Sequence, residues 1–238
     1  MSIIAISNLT KDYKTKRALN KVSLVVNEGE LYGLLGVNGA GKTTLLKILC
    51  GLTKKTSGTA TINGFNLDTQ VEKIKEIIDV SPQETSVCPN LTVLENLHFF
   101  ANLYSVNESE HVKNIIETFS LKEVLNQTAK TLSGGYKRRL SIAIALISKP
   151  KILFLDEPTL GLDVFARREL WKVINDLKGK ITIILTSHYL EEIENLCDKV
   201  AILSKGNLLK TGTIEEIKNE TNSKTFEDAF IKVVKNYE

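Results

Sequence analysis

Residues 36 to 43 read GVNGAGKT, a glycine-rich octet that closes on a lysine and a hydroxyl. The apolar run LYGLLG (31–36) precedes it, and a segment with leucines at 45, 46 and 49 follows. The pattern G-x-x-x-x-G-K-[ST] between a strand and a helix is that of a phosphate-binding loop. Its glycines let the backbone turn tightly, so successive N–H groups face one concavity. The start of the helix behind it adds partial positive charge. The candidate contacts are Gly36, Asn38, Gly39, Ala40, Gly41, Lys42, Thr43 and Thr44. Lys42 is suited to neutralising β- and γ-phosphate oxygens, and the Thr43 hydroxyl to ligating Mg²⁺. The plainer alternative is a glycine-rich turn beside a solvated lysine. Strand, loop and helix in this order favour a nucleoside triphosphate.

A second cluster reads ILFLDEP (152–158), four apolar positions followed by two acids. Open α/β sheets bind ligands beyond the carboxyl ends of their strands. Asp156 is placed to hold Mg²⁺, directly or through water. Glu157 is placed to take a proton from, or orient, the water that attacks a γ-phosphate. Acids that merely end a strand before Pro158 are the alternative. The phosphate loop argues against it, because the metal needs a carboxylate.

Positioning these residues requires strands ending at one edge. Short apolar or alternating runs predict strands at 3–8, 23–27, 31–36, 58–64, 77–82, 151–157, 181–187 and 199–206. Helical patterns fall at 42–50, 70–76, 92–104, 108–119, 134–147, 163–177, 189–195 and 213–219, with a further helix at 224–237. ILFLD and TIILTS are apolar throughout, which suits parallel strands covered on both faces. The two earliest strands and the segment near 58–64 read as a smaller antiparallel sheet. No strand is expected between about 84 and 150, so that span reads as a helical arm. RRLSIAIALI (138–147) has apolar residues at helical spacing and reads as core. The expected class is therefore α/β: a phosphate-loop core with a mostly parallel sheet, a small antiparallel subdomain and an all-helical arm. One domain over 1–220 is expected, with its core at 1–83 and 151–220 and a helical tail at 221–238.

Composition sets bounds on function. The chain has 238 residues, 42% hydrophobic and 25% charged, and a net charge of +3. That balance gives no argument for a nucleic-acid or lipid surface. The short basic run KTKR (14–17) reads as a solvated loop. Three cysteines, Cys50, Cys88 and Cys197, form no CxxC pair and leave one over, as expected in a reducing cytosol without a zinc site. No secretory leader is read at the N-terminus, and no apolar run approaches the roughly 20 residues of a membrane helix.

The stretch LSGGYKRRLSIAIALISKPKILFLDEPTLGLD (132–163) resembles the ATP-binding cassette ATPases, and the resemblance runs from about residue 3 to 215. It implies that Tyr13 stacks on adenine and that Gln83 touches Mg²⁺ and the attacking water. It also implies that Ser133, Gly134 and Gly135 form the signature that meets the opposite subunit's γ-phosphate. Asp163 would lie in a loop crossing the dimer interface, and His188 would contact the γ-phosphate. His98 and His111 receive no role. Ser133 can in addition cap the helix that follows it. Tyr136 departs from the family, which most often has glutamine there.

With one phosphate loop and one LSGG, a monomer has no complete site, so a head-to-tail dimer with a second copy or a homologous subunit is expected. ATP and Mg²⁺ are the implied cofactors, and nucleic acid is not an expected partner. LTVLENLHFFANLY (91–104) and GLDVFARRELW (161–171) are similar to bacterial subunits of the ABC-2 kind. These mostly export their cargo, through separate multi-span membrane subunits. The implied location is cytoplasmic, on the inner face of the cell membrane. An ATPase of this type driving a non-transport process, such as cell-wall regulation or work on ribosomes or DNA, is the alternative.

Overall fold

The computed structural model describes residues 1–106 and 109–237. Glu108, where the expected helix at 108–119 begins, and Glu238, the end of the expected tail, lie outside the described residues.

Two sheets carry the fold. The larger is built from β3 (Leu31–Leu35), β6 (Ile78–Ser81), β7 (Ile152–Asp156), β8 (Thr182–Ser187), β9 (Lys199–Ser204) and β10 (Asn207–Gly212), in the order β10-β9-β3-β8-β7-β6. All its pairings are parallel except β10 on β9. Alternation sends successive side chains to opposite faces, and both faces here are covered. In β3, Leu31 and Leu35 join one core while Tyr32 and Leu34 join the other. In β7, Leu153 and Leu155 likewise oppose Ile152 and Phe154. This is why these strands are apolar at every position.

One core lies under α3 (Val93–Leu103), α4 (Ser109–Thr118), α5 (Gly134–Ile147), α6 (Val164–Leu177) and α7 (Leu190–Leu196). The other lies between the large sheet, α1 (Lys42–Leu49) and the antiparallel sheet β2-β1-β4-β5. That sheet comprises β1 (Ser2–Tyr13), β2 (Lys16–Asn27), β4 (Ser57–Ile62) and β5 (Phe65–Asn66). Short α2 (Val71–Lys75) precedes β6, and α8 (Ile214–Glu220) and α9 (Phe226–Lys235) close the chain. Between β6 and β7 no strand occurs among the described residues.

Three differences from the sequence reading have physical causes. β1 and β2 each run 12 residues, beyond their apolar segments. The register continues from Asp12↔Arg17 to Tyr13↔Lys16, so backbone pairing rather than burial sustains the outer rungs. β5 is too short to leave a periodic signal. β10 was not expected because an edge strand with half-buried positions lacks an apolar pattern. It forms a hairpin with β9 through Lys205 and Gly206, both at positive φ, 47° and 81°.

Local chemistry sets the helix starts. Thr92 and Glu95 form a reciprocal capping box on α3. Ser133 caps α5, its Oγ accepting from the Tyr136 N–H at 3.4 Å. Gly33 in β3 permits close approach of α7: a Cβ there would lie 2.7 Å from Ile193 Cδ1 and 2.8 Å from Cys197 Sγ. No helix among the described residues is long and apolar enough to cross a membrane.

Candidate active site

The parallel register aligns four strand ends. Leu35 pairs with Ser187, Asp156 with Thr186, and Ser81 with Leu155. The chain leaving β3 is the glycine loop, that leaving β7 carries Glu157, that leaving β8 carries His188, and that leaving β6 carries Gln83. The sheet therefore delivers the candidate residues to one edge.

Within the loop, a Cβ on Gly36 would lie 2.4 Å from the Leu203 carbonyl oxygen. Gly41 adopts φ +106°, and a Cβ there would sit 2.7 Å from the Ala18 oxygen. Neither position admits a side chain without backbone movement. Lys42 opens α1 and is only 5% exposed. Its ammonium donates to the Gly36 carbonyl at 2.6 Å and lies 3.6 Å from Glu157 Oε1. Burial pulls its pKa down, while the neighbouring Glu157 and Asp156 charges push it back. The lysine is a desolvated cation tied to the loop it follows.

Asp156 ends β7, buried. Its Oδ1 accepts from Thr186 Oγ1 at 2.6 Å and from Thr43 Oγ1 at 3.2 Å. A carboxylate and a hydroxyl in contact beside a phosphate loop are the hard oxygen donors that Mg²⁺ prefers, so the residues fit that ion. Glu157 adopts φ 47°, uncommon for a non-glycine residue. Its N–H donates to Thr186 Oγ1 at 3.0 Å. Its Oε2 lies 3.0 Å from His188 Nδ1, within ion-pair distance though poorly aligned for a hydrogen bond. Such a carboxylate, backed by an imidazole and a lysine, can orient a water.

These residues surround a cleft of about 500 Å³ lined by Tyr13, the loop from Asn38 to Thr44, Gln83, Glu157 and His188. Tyr13 is 48% exposed, with the Lys11 ammonium 4.8 Å from its ring centroid. Lys16, Ala18 and Leu160 also line the cleft and were missed. Lys16 belongs to the basic run KTKR, which is exposed at all four positions as read; the difference is that Lys16 and Arg17 open β2 rather than lying in a loop. The signal available was its place in the chain, shortly after Tyr13.

Six sequence candidates do not line this cleft: Gly36 and Asp156, which are buried at the ends of β3 and β7, and Ser133, Gly134, Gly135 and Asp163. Ser133 caps α5. Asp163 caps α6, its Oδ1 accepting from the Phe165 N–H at 2.9 Å and the Ala166 N–H at 3.0 Å. Tyr136 packs against the helical core, and the Arg139 guanidinium lies 5.1 Å from its ring centroid. Arg139 in turn pairs with Glu169 of α6. The departure from glutamine thus places an aromatic ring against an ion pair within the chain.

Fold and site define an α/β protein of the phosphate-loop, nucleotide-binding class. Residues 19–160 match the family described as ABC transporter. The "probable multidrug ABC transporter ATP-binding protein YbhF" of Escherichia coli is 36% identical over 246 residues, covering 100% of this chain and 42% of that protein. A solved ATP-binding subunit of an ABC transporter superposes with a TM-score of 0.86 at 28% identity, covering 98% of this chain and 99% of that one. A dimeric ATP-binding cassette in a post-hydrolysis state, bound to ADP and Pi, gives a TM-score of 0.79 at 25% identity, covering 88% and 98%. The chain belongs to the ABC transporter family, with the fold of its ATP-binding cassettes. It spans 42% of the length of YbhF.

Proposed function

We propose that this chain hydrolyses ATP as the nucleotide-binding subunit of a transporter, closing head to tail on a second cassette and driving separate membrane subunits, in the direction of export. The observation that carries the reading is the convergence of Lys42, Thr43, Asp156 and Glu157 at one strand edge, with Thr43 Oγ1 3.2 Å from Asp156 Oδ1. The loop amides and Lys42 would hold the β- and γ-phosphates, and Tyr13 the adenine ring. Thr43, Asp156 and Gln83 would hold Mg²⁺. When bound, that ion neutralises charge developing on the phosphate oxygens. Glu157 would orient the attacking water and accept its proton, while His188 contacts the γ-phosphate. Ser133, Gly134, Gly135 and Asp163, which lie away from the cleft, would serve the opposite subunit's site.

The name of YbhF, a multidrug transporter protein, supports export, and the dimeric cassette relative supports the dimer. The whole assembly would sit on the inner face of the membrane. The test is capture of membrane partners by tagged Glu157→Gln protein with ATP and Mg²⁺ present. That variant should bind ATP and lose about 100-fold or more in turnover, the scale of a removed general base. A co-purifying multi-span protein, lost with Lys42→Ala, is the expected result. A soluble dimer with no membrane partner, or one on ribosomes or DNA, would overturn the transport reading. Near-normal hydrolysis by Glu157→Gln would overturn the role of Glu157.

A further inference from the structure

Arg138 lies on α5 downstream of the LSGG stretch and is 4% exposed. Its guanidinium donates to backbone carbonyls from two separate strand ends. Nε reaches the Pro158 oxygen at 2.7 Å and Nη2 the Asp156 oxygen at 2.7 Å. Nη1 reaches the Pro82 oxygen, and the Gln83 oxygen at 3.3 Å. The carbonyls of Asp156, which ends β7, and of Pro158 flank Glu157 on either side, and those beyond β6 belong to Gln83 and its predecessor. We propose that Arg138 is a positioning residue for hydrolysis, which fixes Glu157 and Gln83 relative to each other and to the helix that begins at Ser133. The inference rests on the hydrolysis reading above.

Glu157 sits in a left-handed conformation, φ 47°, that a non-glycine residue holds only where its surroundings over-determine it. Arg138 supplies that constraint from one side, and the Glu157 N–H bond to Thr186 Oγ1 from the other. A planar fork of donors can engage carbonyls lying in several directions at once. A lysine ammonium, one point of charge on a flexible stem, cannot reproduce that span. Burial pulls the Arg138 pKa down to about 10, opposed by the charges of Asp156 and Glu192, so the group stays a cation at neutral pH. Because α5 also carries Ser133 at its cap, movement of that helix reaches both carbonyl pairs through one side chain.

Arg138→Met and Arg138→Lys, each in the full chain, are compared with wild type for ATP turnover, melting temperature and displacement of a fluorescent ATP analogue. Misplacing a catalytic group by about 1 Å costs on the order of 100-fold, so Arg138→Met should lose about that in kcat. Its ATP affinity should stay within about threefold, because the phosphate loop is untouched, and Arg138→Lys should recover only part of the loss. Added to Glu157→Gln, Arg138→Met should lower residual turnover by no more than about threefold, since groups acting as a unit are not additive. A stabilising role alone would lower the melting temperature while kcat per folded molecule held. That result, or full additivity with Glu157→Gln, overturns the proposal. If Arg138→Met does not fold, Arg138→Lys carries the same comparison, and wild-type kcat in it overturns the proposal too. A wild-type chain that never hydrolyses ATP overturns the hydrolysis reading and this inference with it.

Discussion

Lys42 and Glu157 are largely buried although residues of their type are usually solvated, and exposed Asp163 is tied to the start of its own helix. Lys42 donates to its own loop carbonyl, so phosphate oxygens would compete with Gly36 for the same ammonium. Asp163 has a use inside the chain apart from any role across an interface. The Ala166 N–H, helped by the Phe165 N–H, holds its carboxyl below the usual carboxylate range. For an acid with a depressed folded pKa, the stabilising effect is complete above the unfolded value. It disappears as pH falls through the folded one. Asp163→Ala should therefore melt below wild type at neutral pH, and the gap should close as the pH is lowered through the acidic carboxylate range. Asp163→Asn, which keeps the capping oxygen without the charge, should melt close to wild type at neutral pH and hold its margin over Asp163→Ala as the pH falls. Coincident melting temperatures for wild type and Asp163→Ala at every pH would show that the cap contributes nothing.

At the scale of elements, the phosphate loop depends on the β9–β10 hairpin behind it. Gly36 approaches the Leu203 carbonyl, and the Gly206 N–H donates to the Ala40 oxygen at 3.0 Å. A methyl at Gly36 meets backbone rather than the flexible end of a side chain, so either the loop or β9 must shift. Gly36→Ala should cost about 1–3 kcal/mol, the range for overpacking. It should weaken ATP binding more than that shift in stability would by itself. A nucleotide titration beside a thermal melt separates the two, and unchanged ATP affinity would show that the loop tolerates the methyl. The strand that supports this loop was only partly legible in the sequence. That Gly36, Lys42, Asp156 and Glu157 come to one strand edge could be read from types and spacing, because a glycine loop follows one apolar strand and two acids end another. β10 could not, because half-buried Leu208 and Leu209 in an edge strand give no period to read. Lys16 was hidden in a basic run, and Arg138 in a helix read as apolar core. In both cases a charge is placed by tertiary packing that neighbouring residues do not encode.

Over the whole molecule, the cleft and the LSGG stretch are separate features of one chain. Ser133 and Asp163 cap α5 and α6, and neither lines the space around Lys42. The helix that follows Asp163 begins with Val164 and Phe165, 57% and 82% exposed, apolar surface that the proposed dimer would cover. Head-to-tail closure makes a demand that other pairings do not: each ATP is held by the loop of one chain and the signature of the other. In a Glu157→Gln background, where ATP persists, Lys42→Ala should not dimerise, because both loops are impaired. Ser133→Arg should not either, because both signatures are blocked. Mixed together, they form a heterodimer in which the intact loop of the Ser133→Arg chain faces the intact signature of the Lys42→Ala chain. One site is whole and the other doubly damaged. ATP-dependent association, followed by light scattering, should therefore appear only in the mixture. Failure of the mixture to associate at any ratio, while Glu157→Gln alone does, would exclude the head-to-tail arrangement and leave Ser133 to its role as the cap of α5.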